Sequence, residues 1–242
     1  MSSFRLVALL FVLALNVRAE DAFERANQAY AEGDFANAKR IYEAALSPDA
    51  RANGFYNLGN ASFRLGEIGR AALAYERALA LSPGLGEAAS NLRFVRQKMG
   101  SRVVELSWPA RMLSAIPPSL APWLSIGLAW LGFLWGGVAL WRRRGVGGVV
   151  GGALLVLLGV GYGAGAMWWQ SEQERLAIVV TERVESHSEP ASSAKLSEAL
   201  PAGSRVRVIS SLGEWKYCEL PTGSRGWLPS QSIETIAPFV RP

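Results

Sequence analysis

LAPWLSIGLAWLGFLWGGVALW (Leu120–Trp141), RRRG (142–145) and VGGVVGGALLVLLGVGYGAGAMWW (Val146–Trp169) follow one another directly. Neither apolar run contains a charged side chain. At a rise of about 1.5 Å per residue, each is long enough to cross a hydrocarbon core of roughly 30 Å. The stretch predicts two transmembrane helices joined by a tight turn. Arginines in so short a loop stay on the cytoplasmic side, so the residues before Leu120 and after Trp169 are both expected on the opposite face. Gly147/Gly151, Gly148/Gly152, Gly159/Gly163 and Gly161/Gly165 recur at four-residue spacing, which permits close helix contact in lipid. That face packs either on the first helix of the hairpin or on a helix of another protein or a second copy.

Composition agrees with a membrane protein carrying modest soluble parts: 242 residues, 50% hydrophobic, net charge +5. The basic balance does not point to nucleic acid, because acids and bases are similar in number from Glu20 to Gly100 and arginines gather beside the apolar runs. Arg5, the apolar run Leu6 to Leu15 and Val17-Arg18-Ala19 read as a signal peptide over 1–19. Residues 101–119 form a linker in which Pro109, Pro117 and Pro118 are expected to interrupt any helix. It is read as lying along the membrane surface, with Trp108 and Trp123 at headgroup level. Cys218, the one cysteine, excludes an internal disulfide and falls in a strand pattern where a buried, inert thiol is expected.

Residues 23–81 repeat with a period of 33. Gly33 recurs as Gly66, Ala38 as Ala71, Tyr42 as Tyr75 and Ala45 as Ala78. Paired antiparallel helices need glycine or alanine where backbones cross closely and a large aromatic one turn later. Asn57-Leu58-Gly59-Asn60 through Gly66, Ala71, Tyr75, Ala78 and Pro83 resembles the tetratricopeptide signature. Within 20–100 this gives two repeats, about 22–48 and 52–85. A helix at 87–99, with Asn91-Leu92 and then Arg93, Arg96 and Lys98, reads as a solvated cap. Two repeats are few, since about three are normally needed for independent stability.

After Trp169 the pattern alternates. Ala177–Thr181, Ser204–Ile209, Trp215–Leu220 and Gly226–Leu228 read as strands, separated by turns at Pro201-Ala202-Gly203, Leu212-Gly213-Glu214 and Pro221-Thr222-Gly223. Short strands at this spacing predict a small barrel, and AGSRVRVISSLGEWKYCELPTGSRGWLP resembles a bacterial SH3-like domain, here 174–237. The fold class expected is a multidomain membrane protein: all-α tetratricopeptide repeats, two transmembrane helices (120–141 and 146–169) and a C-terminal all-β SH3-like small barrel.

This combination is similar to the BatE-type family of the bacterial Bat (aerotolerance) operon, on FYNLGNASFRLGEIGRAALAYERALALSPG, NLRFVR and the run from LAIVV to GWLPSQSIETI. Ser186-His187-Ser188-Glu189-Pro190 departs from the family pattern. The resemblance implies a multi-pass protein of the bacterial cytoplasmic membrane, with repeats and SH3-like domain facing the periplasm. It also implies von Willebrand factor A-type Bat proteins as envelope partners, and no catalytic activity.

The residues themselves suggest binding and not catalysis. With one histidine, His187 in a polar loop, and one cysteine, no catalytic, metal or cofactor constellation is visible, and no cofactor is expected. The first helix of each tetratricopeptide repeat lines the concave face, which nominates Phe23, Asn27, Tyr30, Tyr56, Asn60, Phe63 and Arg64 as a protein-binding groove. Stacked amides beside a guanidinium hold a peptide backbone or a terminal carboxylate; alternatively the aromatics are packing between repeats. Trp215, Tyr217 and Trp227 form the candidate SH3-like ligand surface, for a peptide or a cell-wall cross-bridge, although Trp227 also reads as a core anchor. The function expected is a membrane-anchored scaffold, or alternatively a peptidoglycan-binding sensor or anchor.

Overall fold

The computed structural model describes residues 21–46, 52–117, 119–143 and 145–237. The expected leader, the last residues of the first expected repeat and Arg144 lie outside them. Five helices open the described chain: α1 (21–31), α2 (Phe35–Ala45), α3 (Ala52–Arg64), α4 (Ile68–Leu81) and α5 (Gly86–Met99). Asp34 caps α2, its carboxylate accepting from the Asn37 N–H at 3.1 Å. Ala38, Ala71 and Ala78 are fully buried while Tyr42 and Tyr75 are 1% exposed, which is the small-then-large alternation expected from the repeat.

The repeated glycines do something other than expected. Gly33 and Gly66 have φ of +84° and +79° with open space around them, so they supply left-handed turns and not room for a crossing. The close crossings fall on Gly54, where an added Cβ would meet the Phe23 ring at 2.9 Å, and on Gly59, where it would meet Tyr75 at 2.5 Å.

The equivalent helices α2 and α4 are buried differently. In α2 only Ala38 and Tyr42 are buried; in α4 the buried set includes Gly69, Ala72, Leu73 and Glu76 as well as the residues facing α3. The cover is the C-terminal sheet. Its strands are β1 (Leu176–Val179), β2 (Arg183–His187), β3 (Leu196–Pro201), β4 (Arg205–Leu212), β5 (Trp215–Glu219), β6 (Arg225–Pro229) and β7 (Ile233–Thr235). They make one antiparallel sheet in the order β3-β2-β6-β5-β4-β1-β7. Ala177, Val206, Cys218 and Leu228 are fully buried in its core. Burying a leucine such as Leu228 contributes about 2 kcal/mol.

The four expected strands are present with shifted ends, and Gly203, Gly213 and Gly223 take positive φ at the three expected turns. β2, β3 and β7 were not expected. In β2 the inward positions are Val184 and Ser186. Ser186 is tolerated in the core because its hydroxyl donates to the Glu198 carbonyl at 3.1 Å and accepts from the Glu198 N–H at 2.9 Å. A serine in an inward position hides the alternation, and it moves His187 from an expected loop to the end of a strand.

By contacts the chain divides into two compact units. One joins the helices up to Leu79, Leu85–Val104 and the chain from Leu176 onward; the other holds Ala80–Gly84 and Glu105–Arg175. Repeats and sheet are therefore one body, where two separate modules were expected. A Cβ on Gly69 of α4 would lie 2.5 Å from the Val180 carbonyl oxygen at the end of β1. Arg77 donates to Glu234 at 2.8 Å and to the carbonyls of Thr235 and Ile236 at 2.9 and 3.3 Å. Glu76, 8% exposed, accepts from Arg96 and from Arg205, the latter at 3.4 Å.

In the second unit, α6 (Trp108–Ser114), α7 (Ala121–Trp141) and α8 (Val146–Arg175) are helical. Pro109 sits in the first turn of α6, where its missing N–H costs nothing, so the linker carries a helix it was not expected to have. α8 runs six residues past the expected end at Trp169 and leads directly into β1. The α7–α8 contact is backbone against backbone. A Cβ on Gly152 would meet the Gly132 carbonyl oxygen at 2.7 Å, and one on Gly159 the Ser125 carbonyl oxygen at 2.7 Å. The Ser125 hydroxyl donates to the Gly159 carbonyl at 2.8 Å. Gly147 and Gly161 face open space. The packing between the two helices thus uses one glycine face of α8. Both helices are long and apolar enough to cross a membrane, and their large apolar side chains point outward, Trp130 59% and Phe133 68% exposed.

Candidate protein-binding surfaces

Two amide networks, 33 residues apart in sequence, run from α1 to α3 and from α3 to α5. Asn27 on α1 accepts from the Tyr42 hydroxyl at 2.5 Å and from the Asn57 amide at 3.1 Å. Asn60 on α3 accepts from the Tyr75 hydroxyl at 2.8 Å and from the Asn91 amide at 3.0 Å. Each asparagine thereby uses both lone pairs of its carbonyl oxygen, which turns its NH2 into a fixed donor directed away from the network. Burial pushes the Tyr75 hydroxyl up to about 12, with the Asn91 contact opposing the shift, and burial raises Tyr42 as well. Both phenols stay protonated and keep the asparagines oriented.

A groove of about 250 Å³ opens beside the second network, lined by Tyr30, Asn60, Phe63, Tyr75, Asn91 and Phe94 together with Val95. Of the seven residues nominated from sequence, Tyr30, Asn60 and Phe63 meet there, and Asn27 holds the equivalent place one repeat earlier. The others do not converge. Phe23 packs on Gly54 and lies 6.2 Å from the Tyr42 ring, and Tyr56 lies 6.1 Å from Tyr75. Arg64 stacks over Phe35 at 4.4 Å; the cation brought to the groove is Lys98, 5.5 Å from the Phe63 ring.

Asn91 and Phe94 were missed because α5 read as a solvated cap. Phe94, 56% exposed, stands 5.9 Å from Phe63, edge to face. A signal was present: Asn27/Tyr30, Asn60/Phe63 and Asn91/Phe94 share one spacing, an asparagine followed three residues later by an aromatic on the same helix face.

The second surface lies on the outer face of the sheet. Tyr217 and Trp227 are register partners with ring centroids 5.0 Å apart, and His187 pairs in register with Trp227. The His187 ring meets Trp215 edge to face at 5.0 Å, with Nδ1 3.4 Å from the Ala194 carbonyl oxygen. Trp215, Tyr217 and Trp227 thus come together and are half-buried. The core anchor of the last long strand is Leu228, 0% exposed, and not Trp227. Cys218 points the other way, into the core, where burial pushes its thiol up to about 12. Histidine and thiol are therefore on opposite faces of the sheet.

Residues 52–85, which span α3 and α4, match the tetratricopeptide repeat family. No match is found among curated proteins. The chain contains a tetratricopeptide repeat, a unit that presents surfaces to protein partners.

Proposed function

We propose that the protein is a non-enzymatic scaffold anchored in the bacterial cytoplasmic membrane by α7 and α8, with a single periplasmic head that docks other envelope proteins. The observation that carries this reading is the joint fold of the described helices up to Leu79, of Leu85–Val104 and of 176–237. Segments on either side of two spanning helices can pack together only if both emerge on one face, and the arginines at 142–144 favour a cytoplasmic turn. Outward-facing apolar side chains on both helices support a lipid surrounding, because a soluble core helix would bury them.

The docking surface is the concave groove, with the Asn60 amide offered to a peptide carbonyl and Tyr30, Phe63 and Phe94 to apolar side chains. The family resemblance makes von Willebrand factor A-type Bat proteins the leading partners and the sheet an SH3-like barrel. A second reading, attachment to peptidoglycan, draws on the half-buried cluster of Trp215, Tyr217, Trp227 and His187.

Cells carrying Ser101→Cys with Ala202→Cys test the arrangement, since the Ser101 hydroxyl donates to the Ala202 carbonyl. A disulfide forming in the oxidising periplasm of intact cells is the expected result; free thiols throughout would overturn the periplasmic placement of the head. Co-purification after mild detergent extraction tests the scaffold, with Asn60→Ala and Phe94→Ala expected to reduce partner recovery. Retention of the detergent-solubilised full chain on purified cell wall, lost on Trp215→Ala, would favour the wall anchor instead.

A further inference from the structure

Position by position, α4 is α2 with its outer face rewritten. Lys39 becomes Ala72 and Arg40 becomes Leu73, while the inward Ala38 and Tyr42 are kept as Ala71 and Tyr75. Ala72 is 0% exposed and lies against the sheet at Gly203, whose added Cβ would stand 3.2 Å from it. Gly69, Ala72 and Glu76 fall at i, i+3 and i+7, one stripe of a helix, and all three face the sheet side.

Arg205 closes this contact. Its side chain reaches Glu76 on α4 and the Val104 carbonyl at 3.0 Å. Its backbone pairs with the chain leaving α5, Arg205 N–H to the Arg102 carbonyl at 2.9 Å and Val104 N–H to the Arg205 carbonyl at 3.0 Å, while Ile178 of β1 is its partner across the ladder. One residue therefore ties together the repeat array, the segment that precedes the hairpin and the strand that follows it. Glu76 also accepts from Arg96 on α5, the helix that supplies Asn91 and Phe94 to the groove.

We infer that the C-terminal sheet takes the place of the further repeat that the array lacks, and that the groove is held in its docking form only when the sheet has folded onto α4 through Arg205. Docking competence is then conditional on a chain completed beyond both hairpin helices. A chain synthesised only to the hairpin exposes Gly69 and Ala72 and leaves Glu76 without Arg205. Within the docking reading of the groove, on which this inference rests, such a chain has no firm partner site.

Hydrogen exchange on the full-length protein in detergent micelles tests this without any partner, so failure to find a partner does not decide it. Leu228→Ala loosens the sheet core away from the repeats, and Arg205→Met removes the charged link while keeping side-chain bulk. Both are expected to raise exchange in α4 and α5 by about tenfold or more, as for a sub-global opening shared between the modules. Wild-type exchange in α4 and α5 of Arg205→Met, or in Leu228→Ala with a visibly loosened sheet, would overturn the inference. If Leu228→Ala gives no folded protein, Arg205→Met carries the decision, with restoration of α5 protection by a Ser101→Cys/Ala202→Cys disulfide as the expected rescue.

Discussion

Helices α2 and α4 descend from one pattern and meet two different environments. Both turn the same alanine and tyrosine inward, and both follow a left-handed glycine. α2 shows its opposite face to solvent, with Glu43 about half exposed and Lys39 reaching Glu67 at 2.5 Å. α4 buries that face against the sheet, and its charged residues become ligands of specific partners, Glu76 of two arginines and Arg77 of β7. The same helical register thus serves as a surface in one repeat and as an interface in the next. The difference lies in the substituted side chains that meet the sheet, Ala36 to Gly69, Lys39 to Ala72 and Ala44 to Arg77 among them, and in what the distant C-terminal chain brings to cover them.

The comparison breaks most sharply if α4 is given α2's residue. Ala72→Lys places an ammonium group in a fully buried position and is expected to cost about 4 kcal/mol or prevent folding, whereas Lys39→Ala, the reverse exchange, costs about 1 kcal/mol. Thermal denaturation of the two variants side by side measures the gap; equal losses would mean that the sheet does not cover α4 in solution.

Next in size is the glutamate shared by both helices. Glu76→Ala leaves Arg96 and Arg205 facing one another in a partly buried site, and Arg205 is already held below its ordinary value by burial, which Glu76 opposes. The expected loss is about 3 kcal/mol, against less than about 0.5 kcal/mol for Glu43→Ala, read from urea midpoints.

A smaller effect sharpens the comparison on the conserved inner face. Tyr75→Phe removes a hydroxyl that donates to Asn60 and is expected to cost about 1 kcal/mol near neutral pH. The pH dependence has a definite sign. The folded state holds the Tyr75 proton to about 12 against an ordinary value of 10.0, so its contribution is intact below pH 10 and is lost as pH rises from 10 through 12. Melting temperature over that range is expected to fall less steeply in Tyr75→Phe than in wild type; parallel curves would remove the phenol as the cause.

The smallest expected change is that of Gly161→Leu in the hairpin, where the glycine faces differ as α2 and α4 do. Gly161→Leu fills open space and is expected to leave α7–α8 pairing unchanged, while Gly152→Leu drives a side chain into the Gly132 and Gly136 backbone and separates the helices. Crosslinking between cysteines at Ser125 and Gly163, neighbours in the native packing, distinguishes the two; loss with Gly161→Leu would place that glycine in a contact of its own.

Much of this was legible in the chain. Tyr42 and Tyr75, at a fixed period with alanines around them, are core residues because helix pairing leaves no other place for so large a ring. The four readable strands were those with apolar residues at alternate positions between clear turn signals. β2 was not readable, since Ser186 occupies an inward position by bonding to the Glu198 backbone, a partner that sequence spacing does not reveal. The groove was legible in Asn60 and Phe63 but not in Phe94. A cap helix rich in arginine and lysine looks solvated on every face until its neighbour Phe63 is in place.

By itself the sequence determined where the helices of the 33-residue pattern, the three sheet turns and the two apolar spans lie, because periodicity, left-handed glycines and unbroken hydrophobic runs act over a few residues. Only the tertiary structure decided that repeats and sheet are one body, that Arg205 joins them, and which glycines of α8 meet α7. The first two depend on pairing residues more than a hundred positions apart, Glu76 with Arg205 and Ser101 with Ala202, and the third on Gly152 and Gly159 meeting Gly132 and Ser125 of another helix; no local pattern encodes which distant surface a buried charge or a small side chain will meet.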